Sequence, residues 1–416
     1  MYNDMRLITV FTAFCLLVAC RNTTDCGECK CDADFPYDVP AEYLEERADI
    51  PAFWLATTHE VEEYIKTNVH KGTWEMLGKS AGGRPIYGVT YGTPRQGRGT
   101  STYSGASSVK KIGAYRGADN DKKVYMTMAG VHGFELEGIV GSINLINVLE
   151  TGKDLDGNEW PEIVSMLDSL DRIVIIPLCN PDGRDRVPIR MEKFRGHEPD
   201  AYHVHEYLNT GGRDGGQLIG WPDCKEWVPI PFDKFEFPGT YPNDNGYNLM
   251  HDNFFGQVQP ENRIILDVAE REMPDVIMNM HTGVSRDNYF IEMLSPTVAA
   301  YPPVLLKAWQ DLYTYVHTEF ALNGLKKTGD PAKETTRRPV TGAGSMNLTS
   351  VLAFHCGALS TTVENGSHGY TGVYDDGTPV DHNPQKILKA ELTAHRAAMQ
   401  FLSRNGGVPV WEQKYK

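Results

Sequence analysis

Three strongly apolar runs, each stopping abruptly at polar residues, constrain the fold of this chain more than anything else in it. Val124-Tyr125-Met126-Thr127-Met128-Ala129-Gly130-Val131 stops at His132-Gly133-Phe134-Glu135. Ile173-Val174-Ile175-Ile176-Pro177-Leu178-Cys179 stops at Asn180-Pro181-Asp182-Gly183, and Asp275-Val276-Ile277-Met278-Asn279-Met280 stops at His281. Such short apolar runs read as strands buried on both faces. Helical patterns at Gly138–Leu149 and Pro161–Leu170 separate the first two. Strand, helix, strand at this spacing predicts parallel pairing through crossover helices. Ligands of open α/β sheets bind outside the carboxyl ends of the strands, so the polar residues after each run are the candidate site. A fourth run, Ala358-Leu359-Ser360-Thr361-Thr362-Val363, leads into Glu364-Asn365-Gly366.

The chain has 416 residues, 41% hydrophobic and 23% charged, which suits a large globular α/β domain. Its formal net charge of −15 argues against a nucleic-acid partner, which calls for clustered Lys and Arg. Beside the four runs, Tyr43–Val69 reads as helical, and Trp74–Ser80 with Ile86–Gly92 as a hairpin turning at Gly82-Gly83. Residues 93–121 read as a loop; 261–272, 302–323 and 384–402 read as helices. Residues 184–245, rich in Gly, Pro, Asp, Trp and Tyr, interrupt the rhythm and read as an insertion. One catalytic domain over 40–410 accounts for the rest.

At the N-terminus, Arg6 precedes an apolar stretch, Leu7 to Ala19, that reads as a signal peptide over residues 1–19. Leu17-Val18-Ala19-Cys20 resembles a bacterial lipobox. That resemblance implies cleavage before Cys20, a lipid on its thiol and an address in the bacterial cell envelope; the polar residues that follow have no period and read as a tether over 20–39. Cys26, Cys29 and Cys31 in the tether suit a disulfide or a metal about equally. His197, His203 and His205 read as solvated residues of the insertion.

His132 and Glu135, three residues apart, can close on one metal ion from a turn or the first turn of a helix. His281, arriving from another strand end, completes three protein ligands. Zinc then keeps a fourth position, as catalytic rather than structural sites do. A lone His-x-x-Glu is common, and a lone His is more often an interior hydrogen-bonding residue. The weight lies in all of these groups falling where buried strands stop. Glu364 suits a group that takes a proton from water and passes it on. Glu137 is a second carboxylate near His132.

Taken together, these segments resemble the zinc carboxypeptidase family, the metallocarboxypeptidases. Gly78-Lys79-Ser80-Ala81-Gly82-Gly83-Arg84-Pro85-Ile86 resembles the family's early hairpin, His132-Gly133-Phe134-Glu135 its first zinc motif, and Asn180-Pro181-Asp182-Gly183 its central turn. Pro260–Arg263 with Pro274–Gly283, and then Thr361-Thr362-Val363-Glu364, resemble the segments that deliver the last ligand and the base. The resemblance implies a single-domain α/β fold with a mostly parallel, mixed eight-stranded sheet flanked by helices. It implies one Zn2+ per chain on His132, Glu135 and His281, with Glu364 as general base and peptide as substrate; the envelope address adds cell-wall peptides to the expected substrates.

Arg186, with Arg190 behind it, is expected as the oxyanion contact out of a cluster that also holds Arg184 and Arg195. Asn180, Met250 and His251 are expected as substrate contacts. Met250-His251 stands where the family has an Asn-Arg pair whose guanidinium grips the substrate carboxylate. Methionine donates no hydrogen bond and histidine lacks the guanidinium fork, so an altered clamp is expected. The alternatives are an aspartoacylase-like N-acyl amino acid deacylase and a non-catalytic binding lipoprotein.

Overall fold

A strand buried on both faces has to satisfy its backbone N–H and C=O groups on neighbouring strands. In the computed structural model the apolar runs do so within one seven-stranded sheet. The structure describes residues 37, 39–193, 201–283, 289–296, 301–325, 346–373 and 377–415. The expected signal peptide, Cys20, Cys26, Cys29, Cys31, Arg195 and His197 lie outside them.

In chain order the elements are α1 (Thr58–Asn68), β1 (Thr73–Lys79), β2 (Pro85–Gly92), β3 (Val124–Ala129), α2 (Leu136–Thr151) and β4 (Arg172–Ile176). Then come α3 (Pro260–Glu272), β5 (Val276–Thr282), β6 (Ile291–Leu294), α4 (Pro303–Leu322), α5 (Leu348–Cys356), β7 (Leu359–Asn365) and α6 (Pro384–Asn405). The sheet order is β1-β2-β4-β3-β5-β7-β6. β4, β3, β5 and β7 run parallel, while β1, β2 and β6 pair antiparallel at the two edges. The expected flanked α/β sheet is present, with seven strands among the described residues where eight were anticipated.

The long helix expected over 43–69 is shorter, because Pro51 interrupts it and the chain restarts at a capping box. The Thr57 hydroxyl accepts from the Glu60 N–H at 3.2 Å, and a Glu60 carboxylate oxygen accepts from the Thr57 N–H at 3.0 Å. The 93–121 loop contains two short helices, Tyr103–Ser108 and Gly113–Arg116, and the helix expected at 161–170 is two short turns broken at Ser165. No helix among the described residues is long and apolar enough to cross a membrane.

α2 and α4 both pack against α6, while α3 and α5 pack together. The two-residue period of a strand decides which layer each side chain meets. Asn279 reaches Thr349 of α5, whereas Met280 lies against Gly138 of α2. His281 shares the α5 side with Asn279, and Thr282 shares the α2 side with Met280. This parity determines the layout of the site.

At the opposite, amino end of β5, Asp275 is fully buried between Arg95 and Arg116, which are also fully buried as side chains. One carboxylate oxygen accepts from Arg95 Nη2 at 3.1 Å and from the Val124 N–H at 3.0 Å. The other accepts from Arg116 Nη1 and from the Val408 N–H, the latter at 2.9 Å. A single charge thus aligns the starts of β3, β5 and the C-terminal helical segment. Asp275→Asn leaves two buried guanidiniums without a countercharge. Urea unfolding should show a loss of about 3–5 kcal/mol; a loss below about 1 kcal/mol would contradict the role given to this charge.

Candidate metal centre

The first ligand pair sits in a turn that requires close backbone approach. A Cβ at Gly133 would lie 2.3 Å from the Arg184 nitrogen, and one at Gly183 would lie 2.1 Å from the Thr240 carbonyl oxygen. Neither position has room for a side chain, so the loop after β3 and the Asn180–Gly183 turn press directly together. Asn180 is fully buried and bridges them. Its Oδ1 accepts from the Gly183 N–H at 2.9 Å; its Nδ2 donates to Val131 O at 3.3 Å and Tyr241 O at 3.1 Å. Expected as a substrate contact, Asn180 instead braces the residue before His132, with its amide committed to the backbone. Asp182 does the same for the hairpin: it accepts from Ser80 Oγ, Arg84 Nη1, and the Gly82 and Asp244 N–H groups.

His132, Glu135 and His281 are 5%, 3% and 2% exposed, and one ligand atom from each lies within 4.8 Å of the others. His132 Nδ1 is 2.7 Å from Glu135 Oε1, and His281 Nδ1 is 2.7 Å from Glu135 Oε2. His132 Nε2 meets Asn248 Oδ1 at 3.3 Å. An Nε2–H given to Asn248 leaves Nδ1 as the ligating atom. Two imidazole nitrogens and a carboxylate converging on one point form a donor set that suits zinc. Burial pulls against the charge on Glu135, but the two imidazoles beside it keep its carboxyl ionised, well below the usual range. Burial lowers the pKa of His132 despite that carboxylate. For His281 the same burial is outweighed by Glu135, with Glu364 adding to it, and the pKa is raised. No second metal-binding group of this kind occurs among the described residues. His205, half-buried, contacts Glu192 at 3.1 Å.

Glu364 pairs in register with His281 across β5 and β7, so the two side chains share a face. A methyl built at Gly283 would sit 3.3 Å from Glu364 Oε2, so the carboxylate lies beside the His281 strand end. On its other side Glu364 is in register with Glu292 of β6, which is 8% exposed.

The arginines do not join the triad. Arg186 donates to Gly239 O at 2.7 Å, Pro242 O at 2.9 Å and Asp244 Oδ1 at 2.8 Å. Arg190 donates to Trp54 O at 3.0 Å and pairs with Glu60 at 2.6 Å. Both expected oxyanion contacts are therefore engaged in holding loops, as is Arg184 on the carbonyls of Ala56, Val187 and Ile189. Met250 is buried, its sulfur 3.3 Å from Asn279 Nδ2, and is a core residue rather than a surface contact. His251 is half-buried beside Trp221, ring centroids 6.2 Å apart, and Lys225 lies 3.9 Å over that indole.

Sequence reasoning missed Tyr241, whose ring stacks on His132 at 3.6 Å and 8°. It also missed Asn248, although that residue stands two positions before the Met250-His251 pair that drew notice. Glu292 had no local signal, because only the β6–β7 register brings it to Glu364. Of the two carboxylates near His132, Glu135 joins the triad, and Glu137 faces Thr282 and His368 instead.

Residues 61–203 match the family model described as zinc carboxypeptidase. Over this stretch the chain is similar to the zinc carboxypeptidase family. The matched stretch includes His132, Glu135 and Asn180, while His281 and Glu364 lie beyond it. The fold is similar to that of a protein provisionally assigned as carboxypeptidase A from Shewanella denitrificans, at 15% identity and a TM-score of 0.50 over 84% of this chain and 69% of that one. It is equally similar to a metallo-carboxypeptidase from Burkholderia cenocepacia, at 14% identity and a TM-score of 0.50 over 83% of this chain and 70% of that one. No curated protein matches the chain. Zinc carboxypeptidases use zinc, and the His132–Glu135–His281 group is able to hold it.

Burial, and then the Lys225 charge with smaller contributions from His132 and His281, push the His251 pKa down to about 3. Its unfolded value is near 6.5, so the unfolded chain takes up the proton first as pH falls. His251 therefore withdraws stability as pH drops from about 6.5 towards 3. His251→Gln should flatten that part of the acid limb, read as the urea midpoint between pH 7 and pH 4; an unchanged slope would mean His251 is not held neutral.

Proposed function

We propose that this chain is a zinc-dependent hydrolase of peptide or related amide bonds, with Glu364 as its proton acceptor. The observation that carries the reading is the in-register pairing of Glu364 with His281, beside a buried His, Glu and His that converge on one point. A zinc ion on His132, Glu135 and His281 supplies Lewis-acid polarisation of a carbonyl and makes water a better nucleophile. Glu364, beside Gly283 at the strand end, takes a proton from the attacking water and returns it to the departing amine nitrogen. Asn248 orients His132 from behind, and Tyr241 covers its ring.

The clamp for a substrate carboxylate is altered in this reading. Met250 is buried against Asn279, and the depressed pKa of His251 keeps that ring uncharged at neutral pH. Neither can grip a carboxylate with two charged N–H groups. The substrates that fit are peptides, including cell-wall peptides, whose recognition does not depend on a free C-terminal carboxylate.

Glu364→Gln separates hydrolysis from binding. Both this variant and the unmutated protein should hold about one zinc per chain by elemental analysis, lost in a His132→Ala/His281→Ala double variant. Turnover in Glu364→Gln should fall about 10²–10⁴-fold on a peptide panel with free and amidated C-termini. Undiminished turnover would remove Glu364 from the mechanism. A strict requirement for a free C-terminus would restore a carboxylate clamp elsewhere in the chain.

We further propose that the protein is lipid-anchored in the bacterial cell envelope. The support is the apolar stretch Leu7–Ala19 and the lipobox-like Leu17-Val18-Ala19-Cys20. Labelling cells with a tritiated fatty acid should mark the protein but not its Cys20→Ala variant. Absence of label in the unmutated protein would end this assignment.

A further inference from the structure

Two residues past Glu135, the fully buried Glu137 turns to the opposite side of the sheet. Its Oε1 accepts from the His368 backbone N–H at 2.9 Å and from His368 Nδ1 at 2.7 Å. Its Oε2 accepts from Thr282 Oγ1 at 2.8 Å. His368 is also fully buried, its ring 4.7 Å from that of the fully buried Trp54 and inclined at 62°.

The connectivity of these contacts is what matters. Glu135 immediately precedes α2, which carries Glu137. Thr282 directly follows His281, and His368 lies four residues beyond Glu364. One carboxylate therefore joins the three segments that bear Glu135, His281 and Glu364, and it does so from the face of the sheet that those side chains do not occupy. The neighbouring inward positions of α2 are Leu136, Ile139, Val140 and Ile143, all fully buried and apolar. An apolar residue at 137 would be the cheaper core choice, because a buried carboxylate carries a desolvation penalty of several kcal/mol. A buried charge kept there with each oxygen accepting a hydrogen bond serves alignment better than it serves stability.

We infer that Glu137 and His368 are positioning residues that set His281 and Glu364 relative to Glu135. The effect on metal binding stands apart from the hydrolase reading; only the effect on turnover rests on it.

The test is Glu137→Leu, read by cobalt binding to the metal-free protein, the cobalt absorption spectrum, the melting temperature without metal, and kcat and KM on a peptide. Cobalt affinity should weaken about tenfold with an altered spectrum, and kcat should fall about 10–100-fold while KM changes less than about twofold. The metal-free melting temperature should fall, since the buried His368 N–H, His368 Nδ1 and Thr282 Oγ1 lose their acceptor; the altered cobalt spectrum is the readout that a merely structural loss would not produce. Glu137→Gln, which can still accept from His368 and donate to Thr282 Oγ1, should recover most of the loss. Wild-type cobalt affinity and spectrum in Glu137→Leu would overturn the inference. If that variant does not fold, Thr282→Val, which cuts one contact, decides in the same way: weakened cobalt binding supports the inference and unchanged binding overturns it. An unmutated protein that binds cobalt yet cleaves no peptide would sink the hydrolase reading alone, with the positioning role judged on the cobalt measurements.

Discussion

The hydrogen-bond ladder that holds β3, β5 and β7 in parallel register is the constraint on which the rest of this structure depends. Met280 pairs with Ala129 and with Val363, and one residue further on His281 pairs with Glu364. Because successive side chains alternate between faces, a slip of one residue would send His281 to the α2 side and Thr282 to the α5 side. The site would then lose a ligand and the core would gain an unpaired imidazole. Both faces of β3 and β5 are buried, so the apolar residues enforce the register that the polar ones use.

Buried charge appears at both ends of this ladder, each time with partners that offset its desolvation. Asp275 aligns the amino ends of the strands through two arginines and two backbone N–H groups. Glu135 sits at the carboxyl ends between two imidazoles, the only arrangement of ligand groups of its kind among the described residues. In the first, both carboxylate oxygens of Asp275 are taken up by protein donors. The second leaves His281 Nε2 without a partner and draws its three groups towards a common point, as a metal site rather than a structural ion pair would. Glu137, on the reverse face, connects the segments that meet there.

The 184–245 insertion gains a physical role from these contacts. Its Thr240 accepts from the Gly133 N–H at 3.0 Å, and Tyr241 stacks on His132. Arg186 ties its far end through Gly239, Pro242 and Asp244. Trp221 lies beside His251, the residue that stands where a guanidinium was expected, and Lys225 lies over the Trp221 indole. The insertion thus lines the site beside His132 and reaches His251 through Trp221.

Much of the scaffold was legible because it follows from local physics. The apolar runs at 124–131, 173–179 and 275–280 can only be buried strands, and the residues that stop them, His132, Glu135 and His281, had to emerge at one edge once those strands ran parallel. Glu364 was legible for the same reason. The shortening of the 43–69 helix was readable in principle from Pro51 and the Thr57–Glu60 capping pair. Contacts between segments distant in sequence were not legible. Arg186 and Arg190 look alike as charges in a row, and only tertiary structure commits them to loop carbonyls and carboxylates instead of the triad. Asn180 could not be told from a substrate contact until Val131 and Tyr241 were seen on its amide. Composition and periodicity determine which residues must be buried and where strands must stop, because each strand's solvation is settled within its own few residues. Which carboxylate faces a metal and which braces the strand from behind depends on sheet parity and on partners more than a hundred residues away, and only the folded chain decides that.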